Sequence, residues 1–176
     1  MSRSALFALA GVTLGIRSLQ TFTNPNFQHP VTPADWFAVY SFSAGLLALA
    51  VAYPLFAQQV GGGAVFRGSL VATAGYWLSG VSNILEDGMG LDFAFWLFVG
   101  GALLSLAGLI VVSAAIMITA RGRRRLLALV PAATLVGQIT FPLGGGILVM
   151  LVWLWAAWAL TGRSPATDAT ATPAPG

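Results

Sequence analysis

The stretch LLALVPAATLVGQITFPLGGGILVMLVWLWAAWAL, Leu126–Leu160, holds thirty-five residues and not one charge. Crossing the hydrocarbon core of a bilayer takes about 20 apolar residues. The run is therefore too long for one crossing and long enough for two. Pro142 and Gly144–Gly146 interrupt it near the middle. Proline removes a backbone donor, and glycine frees the chain to turn. The stretch predicts a tight helical hairpin, Arg124–Phe141 and Gly145–Thr161, preceded by the basic cluster RGRRR at Arg121–Arg125.

Working back toward the N-terminus, four more apolar segments approach spanning length. They are Ser4–Gln20, Pro33–Gln58, Val65–Asp87 and Asp92–Thr119. The first contains an ALA triplet, but at Ala8–Ala10, inside the apolar run and not after it. It therefore reads as an uncleaved span and not as a signal peptide. The expected fold is all-α, an integral membrane bundle of six transmembrane helices. Residues 1–162 would form the membrane domain, and 163–176, a Pro/Ala/Thr-rich tail, a disordered cytoplasmic end.

Composition agrees. The chain is 57% hydrophobic and 7% charged, with a mean hydropathy of +0.85, whereas soluble domains carry about 25% charged residues. There is no cysteine, which excludes disulfides, thiolate metal sites and cysteine nucleophiles. All eight basic residues are arginine. They punctuate apolar runs and do not cover a polar face, so no nucleic-acid partner is expected. Arginine without lysine in an Ala/Gly-rich chain fits GC-rich coding and suggests a bacterial plasma membrane.

Arginine placement sets an expected orientation. With both termini cytoplasmic, Arg3, Arg67, Arg121, Arg123, Arg124, Arg125 and Arg163 lie inside and only Arg17 lies outside. Inverting the chain reverses this ratio, against the positive-inside rule. A re-entrant last hairpin is the alternative, and it would move the tail outside. Small residues at helical spacing (Ala8, Gly11, Gly15, Ser18; Ser41, Gly45, Ala48, Ala52; Gly101, Ser105, Gly108) predict close helix approach. They read as seams within the bundle, or else as faces for a membrane-protein partner or a homo-oligomer.

Chemistry concentrates in and after the third span. Ser69, Thr73, Tyr76, Gly80, Asn83 and Asp87 recur at three- and four-residue steps, and so do Gly75, Ser79, Ser82 and Glu86. The row predicts either a central helix bonding its neighbours or the lining of a wet outward cavity formed by Thr73, Tyr76, Trp77 and Ser79. Three of the five acids sit in SNILEDGMGLD, Ser82–Asp92. Asp92 complements the start of a helix, and Asp35 completes a capping box with Thr32. Glu86 and Asp87 instead end a span, where their charge opposes the helix dipole.

The spacing predicts an ion pair between Arg17 and Glu86 or Asp87. The remaining acid would bind a metal ion, take up a proton or stay solvated. Asn83 lies one turn below. His29, in the outer loop, would join the site if that loop folded over the bundle. Trp153, Trp155 and Trp158 read as anchors at the inner interface. The chain lacks an HExxH helix and a Ser/His/Asp order, so an intramembrane enzyme is the least supported class, and no cofactor is expected. The favoured class is a non-catalytic binding or partner subunit, or a sensor. A small transporter or ion-coupled carrier using the polar face of span three is the alternative.

Overall fold

The computed structural model describes residues 2–23 and 30–161. Six α-helices are present among them: α1 (Arg3–Thr23), α2 (Pro33–Val60), α3 (Gly63–Asn83), α4 (Ala94–Thr119), α5 (Leu129–Ile139) and α6 (Gly145–Thr161). A π turn, Ile84–Gly88, follows α3, and 3₁₀ turns cover Gly122–Ala128 and Phe141–Leu143. The fold is all-helical, as the hydrophobic runs predict. His29 and residues 162–176, which include the expected tail 163–176, lie outside the described residues.

Three of the helices, α1, α2 and α4, are long and apolar enough to cross a membrane, and α6 is a shorter apolar helix. These segments imply a lipid bilayer. The 21-residue α3 is not among the three, because Arg67, Ser69, Thr73, Ser79, Ser82 and Asn83 dilute its apolar content. The hairpin forms where Pro142 and the glycines place it. Gly144 takes φ +93°, and α6 starts at Gly145 as expected. The first arm differs. It begins as a 3₁₀ turn and is α-helical over only 11 residues. At about 2.0 Å rise per 3₁₀ residue and about 1.5 Å per α residue, the two parts together still reach about 30 Å. The thinner first half presents Leu127 and Ala128 to the core.

Neighbouring helices run antiparallel. Thr73 Oγ1 donates to Ala50 O at 3.0 Å and Asn83 Nδ2 to Ser43 Oγ at 3.0 Å, aligning α3 against α2. Gly11 and Gly15 face Met150 and Trp153, and Gly146 faces Leu14 and Ser18, aligning α1 against α6. Each helix packs on its sequence neighbour, and α1 also packs on α6, so the six form a closed ring in chain order.

The most extensive seam joins α3 and α4. There a Cβ at Gly75 or Gly108 would strike the facing backbone of Ser105 or Ala72. In lipid, where no hydrophobic drive brings helices together, such close approach and its dispersion contacts hold them in place. Gly11, Gly15, Gly45, Gly101, Ser105 and Gly108 are thus occupied within the chain.

This topology sorts the charges. Among the described residues, Arg3, Arg67, Arg121, Arg123, Arg124 and Arg125 lie at one end of the ring. Asp35, Glu86, Asp87 and Asp92 lie at the other, with Arg17 on their side.

Helix α2 starts as its sequence dictates. Thr32 Oγ1 accepts from Asp35 N at 3.3 Å, and Asp35 Oδ2 accepts from Thr32 N at 2.8 Å, completing the capping box. Thr32→Ala removes one half of it. A loss of about 1 kcal/mol is expected, read as a lower thermal midpoint. Thr32→Ser should restore most of the difference.

Candidate functional site

The ring is not filled evenly along its axis. Toward the arginine end, the centre holds Phe7, Tyr53, Phe56, Tyr76 and Trp153, all fully buried. Tyr53 and Tyr76 stack with centroids 5.6 Å apart, and Trp153 meets Tyr53 edge-on at 5.0 Å. Trp153 Nε1 donates to Thr134 Oγ1 at 3.1 Å, and Thr134 passes its own proton to Val130 O at 2.7 Å. These rings form a plug.

Toward the acidic end, the centre is open. A cavity of about 500 Å³ lies there, and every helix contributes to its wall. Leu14 and Arg17 come from α1, Phe42 and Leu46 from α2, and Ser79 and Asn83 from α3. Phe98 and Ala102 come from α4, Gln138 from α5 and Val149 from α6, with Asp87 and Phe141 from the adjoining turns.

The wall is mostly apolar, and five polar groups punctuate it. Arg17 is only 6% exposed. Its guanidinium lies 6.0 Å from the Phe42 ring centroid, and its Nη1 donates to Thr21 Oγ1 at 3.4 Å. Asp87, which lines the same cavity, attracts it electrostatically. Asn83 is held rigid by Ser43, and Ser79 donates to Phe98 O at 3.3 Å. Gln138 places its amide oxygen, buried and without a hydrogen-bond partner among the described residues, in the same region. A buried acceptor left unpaired costs about 1–3 kcal/mol, so this oxygen is poised for a donor.

Glu86 and Asp87 part company here. The helix does not stop by a left-handed residue at Gly88. It widens into the π turn, and the positive φ falls at Gly90. Asp87 lines the cavity, whereas Glu86 does not. Glu86 sits on the rim beyond the end of α3. Partial burial there, and then the like charge of Asp92, raise its carboxyl above the ordinary carboxylate range.

Of the four residues expected to line a cavity, only Ser79 reaches it, joined there by Asn83 and Asp87 from the expected acid site. Thr73 spends its hydroxyl on α2, and Tyr76 belongs to the plug. Trp77 is 49% exposed and points away from the bundle, so its indole needs no interior partner. Trp153 corrects the anchor reading, being a fully buried core residue. Trp158, 75% exposed, keeps the surface position expected of an anchor.

The aromatic wall of Phe42, Phe98 and Phe141 went unread, since phenylalanine in an apolar span is ambiguous between lipid and core. Gln138 was the legible signal, an amide amid an uncharged run. Among the described residues, no group of three His, Asp or Glu side chains could hold a metal ion. No protein-family model matches the chain, and neither a curated protein nor a solved structure shows significant similarity to it.

Proposed function

We propose that this protein is a multi-pass membrane receptor subunit or sensor that holds a small amphipathic molecule in its central cavity. One observation carries the reading: all six helices wall one cavity, and buried aromatic rings fill the bundle centre toward the arginine end. Cavities of about 300–1,000 Å³ with apolar walls and a few convergent polar groups suit small ligands. The apolar wall would take the ligand's body. Gln138, Asn83 and the Arg17–Asp87 pair would take its head.

With cation and carboxylate offsetting each other, a neutral or zwitterionic head fits better than a net ion. The plug disfavours the carrier reading, because a conduit needs a polar route beyond Tyr53, Tyr76 and Trp153. In this reading both termini are cytoplasmic and the cavity faces outward, as the segregation of arginines predicts.

The test is thermal stability in nanodiscs against a ten-carbon alcohol, betaine and carboxylate. A bound ligand stabilises by about 2.7 kcal/mol at a hundredfold excess over Kd. Saturable stabilisation is expected from the alcohol and the betaine, and less from the carboxylate. Ala102→Trp, which fills the cavity, should abolish it. Equal, non-saturating shifts in both proteins would mean mere partitioning into lipid and would overturn the proposal.

A further inference from the structure

The opposite end of the molecule carries a separate feature. After α4, the chain turns through Gly122 at φ +57° into the 3₁₀ segment Gly122–Ala128. Arg121, Arg123, Arg124 and Arg125 are all exposed there. With three residues per turn, consecutive 3₁₀ side chains fan about 120° apart. Arg123, Arg124 and Arg125 therefore point in three directions and form a collar. Arg125 Nε also donates to Ala120 O at 2.9 Å, closing the end of α4.

Arg67, near the start of α3, is exposed at the same end. No acidic residue among those described lies at that end to neutralise the collar. Exposed apolar side chains flank it: Met117 and Ile118 before the turn, Leu126 within it and Leu129 after it. Ile118 is 80% exposed.

We propose that this collar is a binding site for anionic phospholipid headgroups, independent of the cavity. The guanidiniums supply forked donors that match phosphate oxygens. The flanking Met117, Ile118, Leu126 and Leu129 supply surface for acyl chains. A soluble phosphate would use the first feature and gain nothing from the second. The occupant is therefore a lipid, and clusters of basic residues beside a span attract such headgroups by about fivefold in affinity per residue.

The experiment compares the full chain in neutral phosphatidylcholine nanodiscs with nanodiscs containing increasing phosphatidylglycerol. Thermal midpoint and lipid retained in native mass spectrometry are the readouts. Phosphatidylglycerol should raise the midpoint saturably and stay bound, and high salt should weaken both effects. Substituting Arg121→Gln, Arg123→Gln and Arg124→Gln together should weaken the response about 100-fold. Arg125 and its cap on α4 remain intact, so the midpoint in pure phosphatidylcholine should not move. The matching Lys substitutions should restore much of the response. An undiminished response in the Gln variant overturns the proposal, as does full reproduction of the wild-type shift by inorganic phosphate.

Discussion

Trp153→Ala should cost about 4 kcal/mol, within the range for truncating a fully buried large aromatic. The side chain has no exposed surface and sits where four helices converge. Phe7 lies 5.5 Å away between centroids, Tyr53 5.0 Å and Phe56 5.9 Å, and Thr134 accepts the indole proton. Gly11 has no side chain, and a Cβ there would come within 2.9 Å of the Trp153 Cβ. Nothing small on α1 can move in to refill the space. Trp153→Phe keeps most of the contacts and loses the N–H, at about 1 kcal/mol. Trp158→Ala, at the exposed position, should have little effect. Thermal unfolding of the three variants in one detergent gives the ranking. A Trp153→Ala midpoint no lower than that of Trp158→Ala would remove the plug from the description.

Arg17→Met should cost about 3 kcal/mol, toward the lower end of what breaking a buried charge pair costs, because Asp87 keeps partial access to solvent. Methionine retains the bulk and flexibility of the arginine stem, so the loss isolates the charge and its packing over Phe42. The diagnostic quantity is the coupling with Asp87→Asn. If the two side chains attract each other, the double variant should be more stable than additivity predicts by about 1 kcal/mol or more. The same cycle with Glu86→Gln should be additive, since Glu86 stands outside the cavity. Coupling to Glu86 and none to Asp87 would mean that the π turn is misassigned.

The helices were legible because their apolar runs are long and their breaks are chemically plain. Thr32, Pro33 and Asp35 specify the start of α2, and Pro142 and Gly144 specify the last turn. The small-residue rows predicted close approach but not the partner of each row, since packing between spans is set by shape and not by period. Asn83 and Ser79 stand out because buried amides and hydroxyls in a largely apolar helix need partners. Thr73 and Tyr76 share their face by α-periodicity, yet the ring closes over them and opens beside their neighbours. That difference depends on which depth of the bundle Trp153, Tyr53 and Phe56 fill. It arises from residues on two other helices, beyond the reach of any local pattern. Trp77 was placed inside because tryptophan at mid-depth suggests a need for a polar partner, whereas the indole lies on the exterior face.

The contact between α1 and α6 has a consequence for biogenesis. Helix α1 buries Gly11 and Gly15 against α6, which leaves the ribosome well after it. Until Gly145–Thr161 emerges, that flat surface has only lipid or a chaperone to cover it. Assembly therefore cannot finish co-translationally in order, and a chain truncated before Gly145 would display an unfilled notch to membrane quality control.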